Sequence, residues 1–407
     1  MNLQDVERVL FVSLTLLRIQ EGILAMKSLS LLIKPTSSRC NMKCSYCFYA
    51  DEAESRTKAD RGMMSYETMQ TLICSALEAV DRNGEIQFAF QGGEPTLAGL
   101  SWFEKFVVLV RENNTKNIHI RYSIQTNGLV LTQEWIDFLS REQFLVGISL
   151  DGDPFIHDRL RLDAAGKGTW NRVCQNIALL QQNGIEINIL CVVTKYGAKN
   201  PEKVYRSLKE TGAQYLQFIP CLDPLKGKRG TFSWSLSPEK YGHFLCGLFD
   251  VWYQDLKEEK DLVDIRLFED YLYLDLGMTS GTCSVDGSCG SYIVVEADGS
   301  LYPCDFYCLD EWEMGHLGDN SLDQVLSSAQ EQEFLAKRKN RPMECSHCDW
   351  EDLCHGGCSR DWEITDQGTH NYFCSSFKQF FSYAGQRLDE IADEILQDYG
   401  NPDNVKR

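Results

Sequence analysis

The 407-residue chain has no run of more than three basic residues. Its 40 Lys and Arg are outnumbered by 59 Asp and Glu, giving a formal charge of −19. Sequence-independent nucleic-acid binding depends on Lys and Arg neutralising phosphates, so no nucleic-acid partner is expected. A membrane span is lacking too. The N-terminal run Val9-Leu-Phe-Val-Ser-Leu-Thr-Leu-Leu17 is apolar for nine residues, against the roughly 20 needed to cross a bilayer. It has the length of a signal-peptide core, but Glu7 and Arg8 precede it and no small-residue cleavage site is clear. Met26 opens Met-Lys-Ser-Leu-Ser-Leu-Leu-Ile-Lys-Pro35, which reads as a natural start. Residues 1–25 are therefore expected to be an extension of unknown role, helical if ordered. The expected location is cytoplasmic. Cysteine, by contrast, is abundant: seventeen, an odd number and mostly toward the C-terminus, which in a long chain suits metal ligation better than disulfides.

Three of them, Cys40, Cys44 and Cys47, share one loop in Cys-x3-Cys-x2-Cys spacing, and no fourth cysteine stands nearby. A cubane iron-sulfur cluster usually takes one thiolate per iron, so this triad leaves one iron open. An open position separates a catalytic metal site from a closed structural one. The alternative is a zinc knuckle completed by a distant His or Cys, although zinc loops usually pair Cys-x2-Cys with a second pair. The spacing, with aromatic Tyr46 before the last cysteine, resembles the radical S-adenosylmethionine (SAM) superfamily, in which the free iron binds the methionine part of SAM.

The length suits a barrel of about 200–250 residues plus a smaller domain. From residue 29 short apolar runs alternate with helical patterns. Strands are expected at 30–36, 85–90, 119–125, 145–150, 186–193 and 215–220. Helices are expected near 65–82, 101–113, 132–140, 169–183 and 200–211, several opened by capping residues such as Ser65, Ser101, Thr132 and Asn200-Pro201. Six β/α units imply an α/β fold, a partial (β/α)6 TIM-like barrel or open sheet, with function at the C-terminal ends of its strands.

Those ends carry distinctive residues. After the second strand stands Gln91-Gly-Gly-Glu-Pro-Thr96, whose Gly92 and Gly93 permit close backbone approach and whose Pro95 stiffens the exit. It could be a bare turn, but it resembles the Gly-Gly-Glu-Pro element that binds the SAM amino group in this superfamily. The resemblance extends SAM contacts to Tyr46, Gln91, Glu94, Ser149 (ribose) and Arg161 (carboxylate), with Arg159 as a rival to Arg161. Leu222, after the sixth strand, is placed to touch adenine and would otherwise be ordinary core.

A second cysteine system comprises Cys283, Cys289 and Cys304, then Cys345, Cys348, Cys354, Cys358 and Cys374. Eight thiols make two sets of four, and four thiolates close a cluster, suiting electron transfer or structure. Structural zinc is the alternative, with His347 and His355 between the cysteines. The order resembles the SPASM extension with two auxiliary 4Fe-4S clusters. That resemblance implies a nearer cluster on Cys283, Cys289, Cys304 and Cys358, and a farther one on Cys345, Cys348, Cys354 and Cys374. Residues 291–304 read as a hairpin turned at Asp298-Gly299, bringing Cys289 and Cys304 together. Cys74, Cys174, Cys191, Cys221, Cys246 and Cys308 remain, most of them expected to be buried hydrophobes.

The combination of Cys-Asn-Met-Lys-Cys-Ser-Tyr-Cys-Phe-Tyr49, Gln91-Gly-Gly-Glu-Pro-Thr96, Gln217-Phe-Ile-Pro-Cys-Leu-Asp223 and Tyr302-Pro-Cys-Asp305 resembles the anaerobic sulfatase-maturating enzymes. The resemblance implies a radical SAM barrel over 26–235, a helical linker over 236–280, and a SPASM domain with a C-terminal helix over 281–407. It makes Asp305 the general base, although an aspartate there could merely hold the hairpin. The implied substrate is an unfolded sulfatase segment, Cys/Ser-x-Pro-x-Arg. A 5′-deoxyadenosyl radical takes a Cβ hydrogen, Asp305 takes the thiol or hydroxyl proton, and the electron leaves to the nearer auxiliary cluster, ending in Cα-formylglycine. The implied electron donor is a flavodoxin or ferredoxin. A maturase forming thioether or carbon-carbon links in a ribosomally made peptide is the rival enzyme, but such enzymes often carry an N-terminal recognition domain of some 80 residues. A zinc-rich adaptor without chemistry is the rival outside enzymology.

Overall fold

The computed structural model describes residues 26–399 except 259, 261 and 367; the expected N-terminal extension lies outside the described residues. Six parallel strands, β1 (Met26–Ile33), β2 (Val80–Phe90), β3 (His119–Thr126), β4 (Leu145–Ser149), β5 (Ile187–Val193) and β6 (Tyr215–Pro220), lie side by side in chain order. Between and after them run α1 (Phe48–Ser55), α2 (Tyr66–Ala79), α3 (Leu100–Asn113), α4 (Gln133–Arg141), α5 (Pro154–Leu160), α6 (Trp170–Gln182), α7 (Pro201–Lys209) and α8 (Pro238–Lys257). The architecture is the expected α/β one.

Strand and helix meet through alternation. Ile86, Phe88 and Phe90 of β2 are buried on one face, where Phe88 meets Phe106 at 5.1 Å and Phe90 meets Phe103 at 4.9 Å on α3. Edge-to-face rings of this kind add to the transfer energy of burial. Ser65 caps α2 through the Thr68 amide, and Asn200 caps α7 through the Lys203 amide with Pro201 behind it. The Thr132 side chain makes no capping bond.

Further local expectations are corrected, beginning with the first strand, which spans Met26–Ile33 rather than 30–36. The second strand begins at Val80 rather than 85, because Val80 pairs with Met26 before an irregularity that brings Glu85 opposite Ser28; α2 accordingly ends at Ala79. Ser101 does not cap α3. Gly99, at φ 89°, holds that position, a conformation open to glycine.

The sheet does not stop at six strands. A short β7 (Asp264–Ile265) adds beyond β6, followed by α9 (Arg266–Asp275). On the opposite edge β8 (Ile293–Val295) pairs in parallel with β1, followed by antiparallel β9 (Ser300–Tyr302) and β10 (Gly315–His316), completing a ten-stranded sheet. The turn between β8 and β9 closes with the Gly299 amide on the Glu296 carbonyl at 2.9 Å, Gly299 standing at φ 97°. Short helices α10 (Leu322–Leu326), α11 (Ala329–Ala336) and α12 (Glu351–Cys354), and the hairpin β11 (Trp362–Thr365) and β12 (Gly368–Asn371), lead to the long α13 (Cys374–Tyr399). This helix lies against α8, where a Cβ on Gly242 would stand 2.3 Å from Gln379 and Ser376 donates to the Pro238 carbonyl at 2.6 Å.

A buried ion cluster fastens the hairpin to the barrel. Glu296 accepts from Lys34 Nζ at 3.1 Å and Arg56 Nη1 at 2.5 Å. Despite burial, the two cations pull its carboxyl down to about 2. Of the six remaining cysteines only Cys191, Cys221 and Cys308 are buried; Cys174 and Cys246 are half-buried, and Cys74 is exposed on α2, contrary to expectation.

Candidate active site

The Cys40–Cys47 loop leaves β1 at the C-terminal edge of the parallel strands. It is pinned to the chain after α5 by Lys43 N–H on Leu162 O at 2.8 Å and Ser45 N–H on Leu160 O at 3.0 Å. The Met42 amide and the Asn127 side chain point at Cys40 Sγ, at 3.3 and 3.7 Å. Burial pushes the Cys40 thiol up to about 12 and Cys44 to about 11, and neighbouring thiols of the triad add to both.

The pinned segment carries Arg161, which opposes the rise at Cys44. Arg161 is buried, donates to Tyr46 Oη at 3.0 Å, and leaves Nε without a partner among the described residues. Tyr46 in turn donates to Asp151. The backbone of Arg161 is held from behind by Thr169 Oγ1, which donates to its carbonyl at 3.0 Å and contacts His157 Nε2 at 2.9 Å. Burial drives His157 down to about 2, so it is a neutral strut. Arg159 goes elsewhere, its guanidinium 4.4 Å from the Tyr196 ring. Geometry thus separates the two arginines.

The Gln91–Thr96 turn packs under this loop. A Cβ on Gly93 would stand 2.1 Å from the Arg39 carbonyl, and Gly92 has φ 116°. What these glycines approach is the chain itself: the Gly93 and Glu94 amides donate to Ser37 O and Arg39 O at 2.9 and 2.8 Å. Glu94 is buried and its oxygens accept from Thr96, from Thr126 Oγ1 at 2.7 Å and from the Asn127 amide at 2.7 Å. It locks the second and third strand ends together. Ser149 accepts from Gln125 at 3.0 Å, joining the third and fourth strand ends. Leu222 is half-buried after β6, in a loop drawn over α1 by the Leu225 amide on Asp51 at 2.8 Å.

Asp305 enters this mouth from β9. It is buried beside Cys304, with Tyr292 donating to Oδ1 at 2.6 Å and Tyr49 to Oδ2 at 3.1 Å. Gln91 Nε2 donates to Tyr49 Oη at 2.6 Å. One carboxylate is therefore fixed between the triad loop, the glycine turn and the hairpin. Sequence reasoning missed Tyr49, Tyr292 and Asp151. Tyr49 had a signal, standing two residues after Cys47; Tyr292, thirteen residues from Asp305, had none.

The remaining cysteines gather in two places. Cys283, Cys289, Cys304 and Cys358 are linked by mutual effects that, with burial, raise their thiols. Cys345, Cys348, Cys354 and Cys374 line one small cavity with Trp350, Phe377 and others. His355 is spoken for, its Nδ1 2.7 Å from the Val285 carbonyl. Among the described residues no three His, Cys, Asp or Glu side chains converge as a single metal ion requires. A cubane takes one thiolate on each iron, so each group of four cysteines has the number of thiols that one needs.

Residues 35–208 match the Radical SAM superfamily and residues 287–349 an iron-sulfur cluster-binding domain, SPASM. Both imply SAM and 4Fe-4S clusters as cofactors. The chain is 42% identical over 372 residues to a cysteine-type anaerobic sulfatase-maturating enzyme of Clostridium novyi, covering 91% of this chain and 99% of that one. It is 30% identical to a serine-type anaerobic sulfatase-maturating enzyme of Bacteroides thetaiotaomicron, covering 94% and 95%. The solved structure of native anSMEcpe with bound AdoMet and Cp18Cys peptide superposes with a TM-score of 0.85 at 42% identity, covering 90% and 99%. The cysteine loop, the strand-end residues and the buried aspartate thus sit in a chain that belongs to the anaerobic sulfatase-maturating enzymes, of the radical SAM superfamily with a SPASM domain.

Proposed function

We propose that the chain oxidises the cysteine of a sulfatase Cys-x-Pro-x-Arg segment to Cα-formylglycine. The observation that carries this is Asp305, a carboxylate held by two tyrosines between the triad loop and a cysteine of the auxiliary set. Cysteine rather than serine follows from identities of 42% and 30% to the two kinds of relative.

The residues suit the cofactors. Cys40, Cys44 and Cys47 would hold the cluster that binds SAM. Arg161, with its unpartnered Nε, would receive the SAM carboxylate, and the carbonyls of Gly92 and Gly93 are acceptors for its ammonium. Glu94 holds this turn in shape; Tyr46, Ser149 and Leu222 complete the wall. Cys283, Cys289, Cys304 and Cys358 would carry one auxiliary cluster and Cys345, Cys348, Cys354 and Cys374 the other. When bound, these groups supply a 5′-deoxyadenosyl radical to take a Cβ hydrogen and an acceptor for the electron then released.

The protein's own part is proton handling. Tyr49 and Tyr292 orient the two oxygens of Asp305, and Gln91 fixes Tyr49, so the carboxylate meets the substrate thiol as a positioned base. Hydrolysis of the resulting thioaldehyde releases sulfide and leaves the aldehyde. A small electron-transfer protein such as a flavodoxin or ferredoxin would reduce the SAM-binding cluster. The test is an anaerobic assay with a Cys-x-Pro-x-Arg peptide: aldehyde and 5′-deoxyadenosine should form together, and a peptide that returns unchanged while 5′-deoxyadenosine accumulates would sink the assignment.

A further inference from the structure

Arg338 bridges the two auxiliary cysteine sets and Lys337 lies beside the nearer one, and neither residue belongs to either set. The Arg338 guanidinium donates to Gly357 O at 2.5 Å, His355 O at 2.9 Å and Gly287 O at 3.2 Å. Each carbonyl lies on a cysteine-bearing loop: Gly357 precedes Cys358, His355 follows Cys354, and Gly287 lies two residues before Cys289. The fork is also 5.1 Å from the Trp362 ring. One permanently charged group thus joins loops of both sets, and its charge acts on Cys283 and Cys289 of one set and Cys354 of the other. Lys337 is held differently, with Nζ 3.9 Å from the Trp312 ring and 4.4 Å from Tyr307. That Tyr307 is tied to the nearer set, its amide donating to the Cys304 carbonyl at 3.0 Å and its hydroxyl lying 3.5 Å from Ser359, the neighbour of Cys358.

Resting on the reading that these cysteines carry two clusters, we propose that Lys337 and Arg338 are positioning residues that set the reduction potentials of the auxiliary clusters, Lys337 acting on the nearer one and Arg338 on both. Adding an electron makes a cluster more negative, and a fixed cation in a partly desolvated site favours the reduced form. Both residues would therefore raise the potential and make the clusters better acceptors of the substrate electron. The aromatic rings around Lys337 hold its ammonium in place.

The test uses the full-length protein reconstituted anaerobically, with iron content and a redox titration followed by electron paramagnetic resonance, signals being assigned with a Cys374→Ala variant. Lys337→Met should lower one auxiliary potential and Arg338→Met both, each by about tenfold in the one-electron equilibrium, or 59 mV. Arg338→Lys, which keeps the charge but loses the fork, should stay near wild type. Full iron with unchanged potentials in both Met variants would overturn the proposal, as would a shift in Arg338→Lys as large as in Arg338→Met, since loop geometry would then be the cause. Should Arg338→Met lose its iron, Lys337→Met, which unties no loop, decides. Wild-type protein carrying iron for the SAM-binding cluster alone would overturn the two-cluster reading, and the proposal with it.

Discussion

Asp305 shows what a single residue contributes here. Asp305→Asn keeps the shape and one oxygen to accept from a tyrosine but removes the proposed base. Formylglycine should fall by at least about 100-fold, the lower end of general-base contributions, while 5′-deoxyadenosine still forms. Product at the wild-type level would take Asp305 out of the mechanism. Loss of iron with activity would show instead that it holds the Cys304 hairpin. The aspartate was legible because it follows a cysteine in a specific pattern, whereas its partner Tyr292 was not, since nothing local marks a tyrosine whose hydroxyl is used thirteen residues on. Glu52 was equally hidden. It is buried on α1 with no partner for either oxygen among the described residues, and burial pushes its carboxyl up to about 8. Its folded value lies above the unfolded one of 4.5, so stability is fully present below about 4.5 and lost as pH rises through about 8. Glu52→Gln should therefore be more stable than wild type at pH 9 and no more stable at pH 4.5. Thermal melts showing the same difference at both values would contradict this.

At the scale of elements, the hairpin β8–β9 matters most because it extends the barrel sheet and delivers Asp305. The Glu296 carboxylate at its turn pairs with both Lys34 after β1 and Arg56 after α1. Removing one member of a buried ion pair typically costs about 3–5 kcal/mol, because the other charge is left uncompensated. Glu296→Gln should lose stability of that order in denaturant unfolding; a loss under about 1 kcal/mol would mean that water or another acidic group compensates the cations. The six parallel strands and the hairpin were readable from local alternation and Asp298-Gly299. The pairing of β8 with β1 was not, because it joins residues some 260 positions apart. The Gly99 cap and the early start of β2 escaped for a related reason: each is decided by backbone conformation or pairing rather than by the local run of side chains.

The whole molecule combines a cysteine triad at the strand ends with two further groups of four, one including Cys304 beside Asp305 and the other lining its own cavity. The triad was separable from the rest in sequence by its missing fourth cysteine, while the interleaved division of the other eight came from family resemblance and is accompanied in the structure by two spatial groupings. Replacing Cys40, Cys44 and Cys47 with Ala should abolish SAM cleavage yet leave about two thirds of the iron, eight of twelve atoms if all three clusters are cubanes. Retained 5′-deoxyadenosine would show that the radical arises elsewhere. The central claim, oxidation of a sulfatase cysteine, is tested most directly by mass analysis of a Cys-x-Pro-x-Arg peptide after anaerobic incubation with the reconstituted enzyme, SAM and a reductant. Formation of the aldehyde, matched by 5′-deoxyadenosine and released sulfide, is the predicted result. A peptide that instead keeps its sulfur and gains a thioether crosslink would contradict it.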